Sequence, residues 1–128
     1  LRVVKATKGP VTSDVVLTGD IHEAFASDIK QDFNDLSSES VGVELITTSI
    51  TSGADGVGDD DAFTRSAKAH TSALMAMTDR RGYVLCDVGR DHWRGDLKVL
   101  DTIATRNGTL STHASFVTER GKPGLERA

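Results

Sequence analysis

Trp93, Gly95, Leu97 and Val99 alternate with Arg94, Asp96 and Lys98, the clearest period-two pattern in the chain. A strand turns successive side chains to opposite faces, so this stretch belongs in a sheet with one buried face and one wet face. The surrounding sequence reads as an antiparallel meander. Tyr83 to Val88 is a strand, Gly89-Arg90-Asp91 a turn, Arg106-Asn107-Gly108 a second turn, and Thr112 to Thr118 a third strand. Glu119 to Ala128 reads as a polar tail.

The first half is less regular. Residues 1–10 read as the end of a helix stopped by Gly9-Pro10. Asp14 to Thr18 is a short β-branched strand of the buried type. In Glu23 to Phe33, Ala24, Phe25, Ile29 and Phe33 suit a helical face, while Phe25, Ser27 and Ile29 suit alternation; extended structure is favoured at its start. Asn34 to Ser40 is a polar loop, and Val41 to Thr48 a strand with Val41, Val43 and Leu45 on one face. Thr47 to Gly58 is rich in hydroxyls and glycines and runs into Asp59-Asp60-Asp61. Phe63, Ala67, Leu74 and Met77 roughly keep helical spacing, which predicts helix within 60–78, closed by Arg80-Arg81-Gly82. The fold class is α/β with a mixed sheet, in one domain over 1–128.

Composition narrows the function classes. With 128 residues and 38% hydrophobic content the chain can bury a modest core, and at 5% aromatics Val, Leu, Ile and Ala must fill most of it. Its 15 Lys and Arg are scattered, so no basic stripe points to nucleic acid. A formal net charge of -4 means that an anionic substrate needs a local positive centre, such as a metal. The lone Cys86 excludes an internal disulfide, and no apolar run is long enough to span a bilayer. The chain begins at Leu1 without an initiator Met or a signal peptide and holds few candidate ligands. It reads as the carboxyl-terminal portion of a larger enzyme.

The chemistry concentrates at Gly19-Asp20-Ile21-His22, directly after the apolar run Val15-Val16-Leu17-Thr18. A loop can aim a carboxylate and an imidazole two residues apart at one point, and the pair suits a borderline or hard metal, or a phosphate. The end of a strand is where active-site residues gather in α/β sheets. The plainer alternative is an Asp capping backbone amides beside a solvated His. Glu23 is either an acceptor for the imidazole or a solvated charge. In Thr47 to Gly53, Ser49 and Thr51 are the better phosphate-contacting hydroxyls, and the rest bond their own backbone. Asp55, Asp59, Asp60 and Asp61 lack the spacing of a calcium loop and read as a solvated acidic segment. His92 and His113 read as surface residues, and His70 as helical. Cys86 reads as a small apolar core residue. Arg94-Gly95-Asp96 matches a cell-adhesion tripeptide by chance.

Taken together, four blocks resemble the PhoD-like alkaline phosphatase/phosphodiesterases, within the calcineurin-like metallophosphoesterases. They are Val15-Val16-Leu17-Thr18-Gly19-Asp20-Ile21-His22, Thr48-Ser49-Ile50-Thr51-Ser52-Gly53, Arg81-Gly82-Tyr83-Val84, and Trp93 through Asp101. Ser115-Phe116-Val117 and Pro123-Gly124 fit the family's ending. The resemblance implies the carboxyl-terminal part of a metallophosphoesterase-type β-sandwich flanked by helices. It implies metal-dependent hydrolysis of small-molecule phosphate esters at a multinuclear site holding iron and calcium. By that likeness Asp20 is a metal-binding carboxylate, and His22 a site imidazole that ligates metal or hydrogen-bonds the phosphoryl group. Glu23 stands where the family carries Ser or Asn. A Gly-Asp followed by Tyr, an Asp-Asp-His-Glu segment and an amino-terminal ligand block, all absent here, are expected from the missing amino-terminal part of the same enzyme. The likeness also implies a periplasmic or secreted location. The expectation is that these 128 residues alone bind metal weakly and hydrolyse little or nothing. A non-catalytic β-rich binding or accessory module is the alternative, and a homologue that binds phosphate esters without cleaving them is a third.

Overall fold

Eight strands and one short helix make up the described part of the chain, residues 14–59, 62–71 and 73–128 of a computed structural model. In chain order they are β1 (Asp14–Thr18), β2 (Ala24–Lys30), β3 (Ser40–Ile46), α1 (Ala62–His70), β4 (Leu74–Thr78), β5 (Gly82–Val88), β6 (His92–Leu100), β7 (Leu110–Glu119) and β8 (Lys122–Arg127). They form two four-stranded sheets. The first runs β1-β3-β2-β4 and is mixed, with β1 parallel to β3 and the other pairs antiparallel. The second runs β5-β6-β7-β8 and is antiparallel throughout.

The two sheets bury one face each against the other. Ala26, Val43, Leu45 and Ala76 come from the first sheet; Leu97, Ala114, Phe116 and Leu125 come from the second. Alternation makes this possible, since Val43 and Leu45, or Ala114 and Phe116, are two residues apart and share a face. With few aromatics available, Phe116 is the largest fully buried side chain, and its burial contributes about 2–3 kcal/mol. The β6 pattern is as the sequence predicts: Gly95, Leu97 and Val99 are buried and Trp93 packs against the core. The sandwich and the meander are therefore both present, and among the described residues helix is limited to nine residues.

A carboxylate couples the sheets. Asp28 on β2 accepts from the Leu125 backbone N–H at 2.8 Å and from the Ser40 hydroxyl at 2.9 Å. Lys30 Nζ donates to that same hydroxyl at 3.3 Å.

Two expectations are corrected. The helix ends at His70, and Leu74 to Thr78 is a strand. Leu74, Met75, Ala76 and Met77 favour helix intrinsically, but pairing Phe25 with Met77 and Ala26 with Ala76 satisfies the open side of β2 and buries Ala76 and Met77. Arg80-Arg81-Gly82 accordingly closes no helix; it joins the two sheets. The supposed polar tail is mostly β8, whose sole buried apolar residue is Leu125. Backbone pairing to β7 holds it, which hydrophobic pattern does not register. The expected helical segment at 1–10 lies outside the described residues.

β1 is at the rim of the first sheet, with β3 as its partner among the described residues. Val16 is 36% and Leu17 56% exposed. Among the described residues no helix is long and apolar enough to cross a membrane.

Candidate functional site

Parallel pairing puts the carboxyl ends of β1 and β3 at the same end of the sheet, so the loops that leave them become neighbours. The Thr47 N–H donates to the Thr18 carbonyl at 2.9 Å and locks the two exits side by side. The first loop carries Asp20 and His22, the second Thr47 to Gly58.

Asp20 and His22 are exposed, and their side chains make no hydrogen bond among the described residues. Both lie in the left-handed region, with φ of 84° and 63°. Asp and His visit that region more readily than most residues, yet each visit costs roughly 1–2 kcal/mol relative to a right-handed conformation. Something must hold the backbone there. The His22 carbonyl accepts from the buried Thr48 hydroxyl at 3.0 Å and from Arg81 Nη1 at 2.9 Å.

Arg81 is the residue the sequence reading missed. It is only 4% exposed. Besides the His22 carbonyl, Nη1 donates to Ser49 Oγ at 2.9 Å and the Ser52 carbonyl at 3.2 Å, and Nη2 donates to the Asp79 carbonyl. Nε finds no acceptor among the described residues. Its neighbour fixes its place: Gly82 pairs with Val99 so closely that a Cβ would sit 1.8 Å from the Lys98 carbonyl oxygen. The Gly82 N–H donates to the Ser49 carbonyl, and the Leu100 N–H to the Arg81 carbonyl. A buried guanidinium costs several kcal/mol in desolvation, and bonds to neutral acceptors offset it at about 1.5–3 kcal/mol each. The visible signal was the Arg81-Gly82-Tyr83-Val84 block, which carried family likeness but no chemistry.

The second loop is pinned along its length. Ser49 Oγ donates to the Ser52 carbonyl at 2.6 Å while accepting from Arg81, so its hydroxyl proton is committed to the loop. Thr51 is exposed and lines a cleft of about 650 Å³ with Gly53, Asp55, Val57, Arg81 and Ile103. Asp20 and His22 are not among the lining residues. Gly53, at φ 87°, passes between the two key groups; a Cβ there would lie 3.4 Å from Arg81 Nη1 and 3.6 Å from His22 Nδ1. Asp79 accepts from the N–H groups of Val57 and Gly58 at 2.8 and 2.6 Å. Asp55 accepts from the Ile103 N–H at 2.6 Å and the Thr102 hydroxyl at 2.7 Å, and these bonds hold its carboxyl below the usual carboxylate range. Asp55 is thus a loop anchor rather than a solvated charge.

The remaining candidates lie apart. His113 is not a surface residue. It is partly buried within β7, with Nε2 3.5 Å from Asp59 Oδ2, and burial lowers its pKa although Asp59 opposes the shift. His70 is exposed at the end of α1, its Nδ1 2.7 Å from the Ser66 carbonyl. His92 is exposed at the start of β6, and Glu23 is half-buried. Cys86 lies half-buried on the outer strand β5, where burial raises its thiol pKa. Arg94 and Asp96 bond to one another at 2.9 Å on either side of the buried Gly95, so the tripeptide is strand rather than loop. Asp60 and Asp61 fall outside the described residues.

Asp20 and His22 are ligands of the right type for a hard or borderline metal. Two donors do not close a coordination shell, and the described residues contain no group of three or more His, Cys, Asp or Glu able to hold a metal ion. The described residues by themselves do not fill a multinuclear centre.

A family model described as PhoD-like phosphatase matches residues 2–97. Alkaline phosphatase D of Bacillus subtilis (strain 168) is 38% identical over 113 residues, which are 88% of this chain and 19% of that protein. A solved structure described as that of PhoD aligns with a TM-score of 0.88 at 35% identity, covering 99% of this chain and 24% of the other. The chain thus spans less than a quarter of the length of either relative.

Proposed function

Because this chain belongs to the PhoD-like phosphatase family, we propose that the protein it contributes to hydrolyses phosphate esters, with Asp20 and His22 in the reaction centre. One observation carries the reading. An acid and an imidazole stand at the mouth of β1 in costly left-handed backbone, with no side-chain hydrogen bonds, where a strand-end crevice receives ligands. Groups that only stabilised the loop would be bonded to it.

The imidazole of His22 can donate a hydrogen bond to a phosphoryl oxygen or hold a proton for the departing alcohol. The Asp20 carboxylate offers a negative acceptor beside it. The family likeness extends the proposal to a metal-dependent site with iron and calcium. That site needs donors from outside the described residues. Thr51 is the better placed of the two candidate hydroxyls for a substrate contact, because the proton of Ser49 is already engaged. Diester hydrolysis and a periplasmic or secreted location belong to the same proposal; cell fractionation tests the latter.

The decisive experiment uses the full-length protein with a phosphomonoester and a phosphodiester reporter. Asp20→Asn should abolish nearly all turnover of the preferred ester while circular dichroism stays unchanged. Unchanged turnover would favour a β-rich accessory module. A wild-type protein that binds phosphate esters without cleaving either reporter would refute the hydrolase reading.

A further inference from the structure

We propose that Arg81 is a positioning residue, which sets the orientation of the His22 loop by gripping the His22 carbonyl from inside the fold. The inference rests on the phosphatase reading and adds to it a residue that touches neither substrate nor reacting atoms.

Among the described residues Arg81 forms no ion pair within bonding distance; its partners are backbone carbonyls and one hydroxyl. Those partners belong to three separate segments: His22 in the loop after β1, Ser49 and Ser52 in the loop after β3, and Asp79 in the turn after β4. A planar guanidinium with donors in a fixed fork can hold three segments at set angles, which an ammonium cannot. Its own main chain is held in turn by Leu100 and, through Gly82, by Ser49. The clamp is therefore anchored in both sheets.

The place of the grip matters. The His22 carbonyl receives two donors, Arg81 Nη1 and Thr48 Oγ1, which fixes the peptide plane that follows the imidazole-bearing residue. His22 sits at φ 63°, and Gly53, whose φ of 87° disfavours a side chain, passes close to both Arg81 and the imidazole. If the clamp loosens, the backbone can leave the left-handed region, and the Asp20 and His22 side chains swing with it. A displacement on the order of 1 Å at reacting groups can cost on the order of a hundredfold in rate. The effect should fall on kcat, because substrate binding energy from elsewhere in the site is untouched.

The test uses the full-length enzyme and the two reporters named above. Arg81→Lys keeps a buried cation but loses the fork. It should retain the wild-type circular dichroism spectrum, lower kcat by about tenfold or more, and leave KM within about threefold. Millimolar guanidinium chloride should recover part of the lost kcat in Arg81→Ala, a rescue that general loss of packing would not show. Thr48→Val removes the other donor at the same carbonyl and should lower kcat in the same sense. If Arg81→Lys folds and its kcat stays within about twofold of wild type, the positioning role is wrong while the phosphatase reading stands. Should Arg81→Lys fail to fold, Thr48→Val decides, and a kcat within about twofold of wild type overturns the proposal. Wild-type protein inactive on both reporters overturns the parent reading and this inference together.

Discussion

Removing the Asp28 carboxylate should unfasten the last strand before it disturbs anything else. Asp28→Ala deletes the acceptor of the Leu125 N–H and of the Ser40 hydroxyl. Bonds to a charged acceptor contribute about 1.5–3 kcal/mol each; the lower figure applies to this half-exposed group, giving about 3 kcal/mol for the pair. Asp28→Asn keeps one carbonyl oxygen for the Leu125 amide and loses the charge, for about 1 kcal/mol. The loss should appear as local opening, because β8 has one buried apolar anchor and a short pairing to β7. Hydrogen exchange followed by mass spectrometry on the peptide Lys122 to Ala128 reads it directly. At 1.4 kcal/mol per factor of ten, exchange should accelerate by about a hundredfold in Asp28→Ala and about fivefold in Asp28→Asn. Peptides from β5 and β6 should keep their wild-type rates. An Asp28→Ala protein whose carboxyl-terminal peptide exchanges within about twofold of wild type would refute the view that this carboxylate couples the sheets.

Gly82→Ala should destabilise the protein by about 3 kcal/mol or more, since its Cβ would fall 1.8 Å from the Lys98 carbonyl oxygen; an unchanged denaturant midpoint would sink the claim. His113 is held below its ordinary pKa of 6.5 by burial, so the unfolded chain binds the proton first as pH falls. Its contribution to stability is intact above that value and is lost as pH drops through the lowered folded pKa; His113→Gln should flatten the slope of unfolding free energy against pH below about 6.5. Identical slopes in the two proteins would show that His113 does not titrate differently on folding.

Legibility in the sequence followed periodicity. The β6 strand announced itself because Leu97 and Val99 face inward while Arg94, Asp96 and Lys98 face out or sideways. β4 misled, because Leu, Met and Ala favour helix and only the demand of β2 for a neighbour makes them a strand. β8 was silent for a different reason: one buried leucine makes no period, and the strand is held by backbone pairing to β7 and by a carboxylate 97 residues earlier in the chain. At the site, Asp20 and His22 were readable because strand, glycine, acid and imidazole follow in order. Arg81 was not readable, because burial turns a residue expected in solvent into a hub, and nothing local to Arg80-Arg81-Gly82 signals that. Ser49 illustrates the same limit: a hydroxyl can be placed near a site by sequence, but not that its proton goes to the Ser52 carbonyl while its oxygen accepts from Arg81, 32 residues away.

The position of β1 has a practical consequence. Among the described residues β3 is its neighbour, and Val16 and Leu17 stand exposed along that pairing. Residues 14–18 also lead straight into the turn that carries the candidate chemistry, so any slip of β1 along β3 drags Asp20 and His22 with it. Bench work on this segment should therefore confirm the register of β1 on β3, by hydrogen exchange on peptides spanning Val15 to Leu17, before reading anything from Asp20 or His22.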